Sequence, residues 1–371
     1  MDKYDIGILT FWNVPNYGTF AQAYALQKTL EKLFPERDVK QIAHLDEYHY
    51  NFYYNKLGNC RFGSRSYFRE ILRGLLYKKE KDGKKELFLN AYNQIPHTKE
   101  LSLKNVKEMS FKNIVLGSDI IWDYSIGAFN NDRMLFGKDI NTKHVGAYAA
   151  SFGTVEIDVC IPEDIQILIK NMSNIAVRDE KSAVIVEKIT GTKPKVVLDP
   201  VWLWDFRNDE NIVGPQLDDY IVAYGQDFTP EFIENLVAYA KQKGLKIVAL
   251  DCNDDEYEWC DILVKQKDLT PFQWMGYFMG ATCVATSTFH GLTFGLVFQK
   301  KIAFCKTEFI LAKIDVFLKK IGIYDLFSDP SDVKKMLDYS WNYVEINRYV
   351  EQERVKSYEF LLEVCGKTDE Y

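Results

Sequence analysis

Histidine is scarce in this chain of 371 residues, with five copies, and the seven cysteines never fall into a Cys-x-x-Cys pair. Cys60, Cys160, Cys252, Cys260, Cys283, Cys305 and Cys365 are odd in number and irregular in spacing. That excludes a zinc ribbon and a small disulfide framework, and it predicts reduced thiols. Carboxylates and histidines show no ligand spacing either, so no metal is expected. An excess of positive charge is also missing, since the formal net charge is −7. Nucleic-acid binding needs clustered lysine and arginine on a basic background, so that class is excluded. No stretch approaches the ~20 apolar residues of a membrane span. The N-terminal run Ile6 to Phe11, six residues behind three charges, is too short for a signal-peptide core. A soluble cytoplasmic protein is expected. The loop after that run, Trp12 to Thr19, holds Gly18 as its single glycine, so the Gly-x-Gly-x-x-Gly fingerprint of a dinucleotide site is lacking.

What is present is apolar bulk: 47% hydrophobic residues and 15% aromatics, enough in this length for two domains with a core each. The stretch Ala281 to Lys301 organises the rest. Cys283 to Thr286 is short, small and apolar, as a buried parallel strand should be. Leu292 to Phe298 reads as a helix packed on a sheet. Between them Ser287, Thr288, Phe289, His290 and Gly291 form a turn at a strand's C-terminal end, where open α/β sheets bind ligands and a helix N-terminus favours an anion. Lys300 and Lys301 follow the helix and are expected to add positive charge. The plainer alternative is a capping histidine and two solvated lysines; the position favours an anion site with an acid/base group.

The remaining elements follow an alternating strand and helix order, which predicts parallel-sheet α/β units. Ile6 to Phe11 is a strand, Asn16-Tyr17-Gly18 a turn that either contacts ligand or serves only as a turn, Thr19 a helix cap, and Phe20 to Leu33 a helix. Asp38 to Ile42 is the second strand. Residues 46 to about 100 are aromatic and basic, with a helix from Ser66 to Lys79 and a solvated turn at 78–85; this insert covers the sheet or lines an acceptor-sugar site. The strand Phe111 to Leu116 runs into Gly117-Ser118-Asp119, which puts a carboxylate beside free amides. Asp119 is placed for general-base work or for holding a sugar hydroxyl, or with Ser118 it caps a following helix. Trp122 would supply an apolar wall. Lys143 to Ala150 ends at Ser151-Phe152-Gly153-Thr154, a small hydroxylated loop on the same edge. After Ile175-Ala176-Val177, Arg178 either grips a carboxylate or phosphate or pairs with Asp179 or Glu180. Val196 to Leu198 leads to Asp199-Pro200.

A linker at Trp202 to Asp219 divides the chain. The predicted domains are 1–205, Rossmann-like with the helical insert; 216–330, a second Rossmann-like domain with a strand at Tyr220 to Tyr224, a helix at Pro230 to Lys243 and strands at 246–250 and 301–305; and a helical tail at 331–371, with Trp341, Tyr343 and Val344 available to pack on the body. Two Rossmann-like halves facing a cleft are expected.

The order of these loops resembles the polysaccharide pyruvyl transferase family. The match rests on Asn16-Tyr17-Gly18 before AQAYALQKTL, Gly117-Ser118-Asp119 with Trp122, YAASFG at 148–153, Val177-Arg178-Asp179-Glu180 with Leu198-Asp199-Pro200, and Ser287-Thr288-Phe289-His290-Gly291. The resemblance implies a GT-B-like two-domain fold and transfer of pyruvate from phosphoenolpyruvate to a sugar of a surface polysaccharide or its lipid-linked precursor, forming a cyclic ketal without a cofactor. It implies phosphoenolpyruvate near Arg178 and His290 and a catalytic acid near Asp119. On that basis Arg178 grips the donor's anion, His290 binds phosphate and donates a proton, and Asp119 accepts the proton of the attacking hydroxyl. Some relatives carry an arginine two residues before this histidine; here Thr288 stands there, so one anion contact is missing. The alternatives are a GT-B glycosyltransferase using a nucleotide sugar and a non-catalytic sugar- or anion-binding relative.

Overall fold

The computed structural model describes residues 2–45, 50–54, 62–76, 78–99, 109–125, 133–142, 144–252 and 257–366. Cys60 and parts of the insert lie outside them. The chain divides into two units, one of 1–76, 92–204 and 351–371, the other of 77–91 and 205–350. This grouping differs from the division read in the sequence: a piece of the insert goes with the second unit, and the end of the tail with the first.

The first unit holds a six-stranded parallel sheet in the order β2-β1-β3-β4-β5-β6. Its strands are β1 (Asp2–Leu9), β2 (Val39–Gln41), β3 (Met109–Leu116), β4 (His144–Ala150), β5 (Asn174–Val177) and β6 (Lys195–Val196). The helices are α1 (Tyr17–Leu33), α2 (Arg65–Leu76), α4 (Glu163–Lys170) and α5 (Glu180–Thr190). Strands covered on both faces read as continuous apolar runs. Ile6, Ile8, Leu9, Ile114, Val115 and Leu116 are accordingly buried. The last helix, α11 (Tyr343–Gly366), packs its C-terminal part on this sheet. A Cβ on Gly146 would stand 2.6 Å from a Val364 methyl, so a glycine in β4 lets the helix approach. Leu198 N donates to Ser357 Oγ, and Asn113 Nδ2 to the Val364 carbonyl.

The second unit holds a five-stranded parallel sheet in the order β11-β10-β7-β8-β9. These strands are β7 (Tyr220–Tyr224), β8 (Lys246–Cys252), β9 (Ile262–Lys265), β10 (Cys283–Thr286) and β11 (Lys301–Phe304). Its helices are α3 (Lys78–Tyr92, of which Tyr92 groups with the first unit), α6 (Pro230–Lys243), α7 (Pro271–Gly280), α8 (Phe289–Val297), α9 (Glu308–Lys320) and α10 (Val333–Asp338). Side-chain caps start most of them: Thr229 on α6, Thr288 on α8, Thr307 on α9, and on α7 a reciprocal box between Thr270 and Gln273. Each cap satisfies an otherwise orphaned N–H and contributes ~1 kcal/mol.

Three expectations change. Residues 78–85 are the start of α3 rather than a solvated turn, and Lys84 Nζ holds both carboxylate oxygens of Asp251 at 2.7 and 2.8 Å. The tail is two helices, α10 and α11, and Val344 is 77% exposed instead of packed. Trp122 is fully buried, its Nε1 donating to the Leu135 carbonyl, so it is core and not a ligand wall.

Candidate functional site

Open parallel sheets meet ligands at the strand C-termini, at the point where the strand order reverses. In the first sheet that point lies between β1 and β3, because the connection from β1 leads out to β2 on one side while β3 lies on the other. The loops after β1 and β3 bring Thr19 and Asp119 together there. Asp119 takes a left-handed backbone with φ 78°. Among the described residues 120–125 no helix follows it. Its carbonyl accepts from Ser151 N at 3.0 Å, which ties the loop after β3 to the end of β4. Asp119 Oδ2 accepts from Thr19 Oγ1 at 3.1 Å, and Oδ1 from Ile120 N at 2.9 Å.

Asn16, not Thr19, caps α1: its side chain accepts from Thr19 N at 3.1 Å. The Thr19 hydroxyl is thereby available to Asp119. Gln22, fully buried in the next turn, donates from Nε2 to Thr10 Oγ1 and to the Thr19 carbonyl, and Thr10 Oγ1 donates on to the Ser118 carbonyl. Tyr17 and Gly18 are buried, so of the turn Asn16-Tyr17-Gly18 only Asn16 is exposed.

Arg178 enters the same cluster from the end of β5. Its Nη1 donates to Asp199 Oδ2 at 2.9 Å and stands 3.7 Å from Asp119 Oδ1. The pairing is thus with the strand-end acid Asp199 rather than with Asp179 or Glu180. The Arg178 and Asp199 side chains are 3% and 2% exposed, against 13% for Asp119. Burial pushes the Arg178 guanidinium down, but Asp199, Asp119 and Asp179 together hold its pKa above the ordinary value. It stays charged. Ser118 is buried with its Oγ 3.4 Å from Asp199 Oδ2. Asp199, Asp119 and Asp179 surround the one guanidinium, and the Asp119 side chain is more exposed than that of Asp199.

The neighbouring loop is fixed in the same manner. Ser151 Oγ donates to Asp179 Oδ2 at 2.6 Å, while Asp179 Oδ1 caps α5 at Ser182 N. Asp123, which sequence reasoning passed over, is fully buried and accepts from Ser125 N and Oγ and from Thr154 N and Oγ1 at 2.5–3.2 Å. Gly153 has φ 56°, and a Cβ there would stand 2.2 Å from Asp123 Oδ2. The only trace of this in the sequence is an acid four residues past Asp119 and a glycine in a hydroxylated loop.

In the second sheet the order reverses between β7 and β10. Ser287 N donates to the Tyr224 carbonyl, and Ser287 Oγ accepts from Asp227 N at 3.2 Å. Thr288 caps α8 by accepting from Gly291 N at 3.0 Å. The helix starts at Phe289, three residues before the predicted start, so His290 lies in its first turn, half-buried, with its ring 4.9 Å from that of Phe289. A Cβ on Gly291 would meet Thr286 Oγ1 at 2.0 Å, so only glycine lets the helix start this close to β10.

Lys300 and Lys301 do not join His290. The nine-residue helix α8 carries the chain back across the sheet. Lys301 pairs with Cys283, the first residue of β10, while Thr286, at the His290 end, pairs with Phe304. Lys301 therefore begins β11 at the opposite edge, with Lys300 just before it. Burial pushes the Lys300 ammonium pKa down.

The family model described as polysaccharide pyruvyl transferase aligns with residues 16–305. That span runs from the Asn16 cap of α1 through the loops after β3, β4, β5, β7 and β10. No curated protein sequence matches the chain. Among solved structures, a protein from Listeria monocytogenes assigned as a UDP-N-acetylglucosamine 2-epimerase superposes with a TM-score of 0.54 at 8% identity, covering 99% of this chain and 98% of that one. The UDP-GlcNAc 2-epimerase from Neisseria meningitidis bound to UDP-GlcNAc gives 0.49 at 11% identity, covering 99% and 100%. The heptosyltransferase WaaC from E. coli with ADP gives 0.41 at 10% identity, covering 83% and 90%. The first of these supports a GT-B-like fold, and fold does not carry function.

Proposed function

The chain belongs to the polysaccharide pyruvyl transferase family, and from that premise we propose that it moves pyruvate from phosphoenolpyruvate onto two hydroxyls of one sugar. The product is a cyclic ketal on a surface polysaccharide or its lipid-linked precursor, and the reaction runs in the cytoplasm. The observation that carries this reading is the family match over residues 16–305, together with a partly exposed carboxylate, Asp119, oriented by Thr19 and Ile120 N beside a permanent cation.

The chemistry asks for one acid and one base. A proton reaches the methylene carbon of the enolpyruvyl group, which becomes a methyl and leaves its neighbour electrophilic. A sugar hydroxyl attacks that carbon and gives up its proton; phosphate departs; the second hydroxyl closes the ring, and its proton leaves with phosphate. Atoms balance with phosphoenolpyruvate and the diol as the sole reactants. Asp119 accepts the proton of the attacking hydroxyl, with the Arg178 guanidinium 3.7 Å from its Oδ1. His290, in the first turn of α8, donates to carbon and binds phosphate with the helix amides. Arg178 faces Asp199 as well as Asp119, so its contribution is to the charge of the base more than to a grip on the donor.

Thermal-shift titration with phosphoenolpyruvate, and separately with nucleoside diphosphates, tests the donor. A ligand that binds only the folded chain raises the melting temperature with its concentration. Phosphoenolpyruvate is expected to do so in the wild type and to fail in His290→Ala. In turnover, Asp119→Asn and His290→Asn should each cost roughly 10²-fold or more in kcat. Protection by a nucleoside diphosphate alone would replace this reading with glycosyl transfer from a nucleotide sugar.

A further inference from the structure

The insert carries a surface that neither sheet's loops account for. In α2, at about 100° per residue, Tyr67 and Ile71 share one side, and both are partly buried. Phe68, Leu72, Arg65 and Arg69 share the other side, and all four are exposed. Phe68 is 62% and Leu72 59% exposed, and Phe62, just ahead of the helix, is 85% exposed. The Tyr67 ring adjoins those of Phe62 and Phe68, at 5.1 and 5.8 Å between centroids. Single exposed apolar side chains are ordinary; three large ones on one short segment mark a contact surface.

Charge narrows what covers it. Residues 61–79 hold four arginines, two lysines and one glutamate, a net of +5 in a chain whose total is −7. A second copy in a two-fold contact would bring Arg65 and Arg69 against their own duplicates. An anionic bilayer surface accommodates both halves of the face, with phenylalanines at the headgroup boundary and arginines among lipid phosphates. The remaining, acidic part of the molecule is repelled by such a surface, so this face is the one presented to it.

We propose that Phe62 and α2 form a docking face for an anionic lipid bilayer, with Phe62, Phe68 and Leu72 entering the interface and Arg65 and Arg69 contacting lipid phosphates. The inference does not depend on the donor or the reaction.

Co-sedimentation of the full chain with vesicles of phosphatidylglycerol and phosphatidylcholine in equal parts, against phosphatidylcholine alone, tests it. The wild type is expected to bind the anionic vesicles and to dissociate as salt is raised. Phe62→Ser/Phe68→Ser/Leu72→Ser and, separately, Arg65→Glu/Arg69→Glu should each weaken binding about tenfold or more. Circular dichroism and melting temperature should match the wild type, because these side chains face solvent. Absence of binding to anionic vesicles at low salt would overturn the proposal, as would binding that both variants retain. Concentration-dependent dimerisation abolished by the triple variant, without vesicle binding, would assign the face to a second copy instead. None of these outcomes touches the pyruvyl reading, which is decided by donor protection and turnover.

Discussion

Arg178 changes character between sequence and structure. At a strand end before a helix it reads as an anion grip; in the fold it is the buried centre of an Asp119–Arg178–Asp199 group. Buried charges are tolerated when paired, and removal of one partner leaves the other uncompensated. Arg178→Met keeps the volume and strips the charge from two carboxylates at once. The expected loss is about 3–5 kcal/mol of unfolding free energy, measured by urea denaturation followed by circular dichroism. His290→Ala, at a half-buried position in a first helical turn, should cost about 1 kcal/mol or less. A stability for Arg178→Met within ~1 kcal/mol of wild type would show that the ion group is not a structural anchor. Activity lost in Arg178 variants must therefore be read against folding, whereas loss in His290 variants reports on chemistry.

At the scale of elements, the turn into α8 shows geometry overruling propensity. Alanine is the better helix former by ~1 kcal/mol, so Gly291→Ala would stabilise an isolated helix. Here the added methyl meets Thr286 Oγ1 at 2.0 Å and the capping Thr288 Oγ1 at 2.7 Å. Either the helix start moves away from β10 or the cap is lost. Gly291→Ala is expected to lower stability by about 1–3 kcal/mol and to displace the first turn that carries His290; an unchanged or raised melting temperature would refute this. The same elements show what was legible. The observed limits of β7, β10 and α6 coincide with those read in the sequence, because a strand buried on both faces and a capped amphipathic helix each leave a local pattern. The stretch at 78–85 misled because lysine and glutamate favour helix as readily as they favour solvent, and what fixes α3 is remote: Gly83 against Lys267 and Lys84 on Asp251. The site was legible loop by loop, since every strand of a parallel sheet delivers its C-terminus to one edge. Its pairings were not. Thr19 reaches Asp119 across 100 residues, and nothing near either residue announces the other. Lys300 and Lys301 failed the opposite way: close to His290 in sequence, they are separated from it by the length of a helix.

Across the whole molecule, acid is where the charge distribution should show. Four described carboxylates sit below the usual carboxylate range. In the first unit, burial raises Asp5, but the Lys112 side chain and the Asp38 amide outweigh it, and a hydrogen bond from Arg133 lowers Asp164. In the second, Ser331 lowers Asp329, and Lys334, with Tyr239 and Lys243, lowers Asp338 to about 2. A group depressed on folding contributes stability above its unfolded value, 3.8 for these aspartates, and loses it as pH falls through the folded value. Net charge acts the other way at first. The chain carries −7 at neutrality with an isoelectric point near 5.5, so acidification over that interval relieves self-repulsion. Below the isoelectric point both effects oppose the fold, since charge of the other sign accumulates while the paired carboxylates protonate. The melting temperature at constant ionic strength should therefore stay level or rise slightly from neutrality to about pH 5.5 and fall below about pH 4. Asp338→Asn should fall less steeply between about pH 4 and 2, having already given up the Lys334 pairing at neutrality. A melting temperature that keeps climbing to pH 3, or an Asp338→Asn profile parallel to wild type, would mean that these pairs are as strong in the unfolded chain as in the fold.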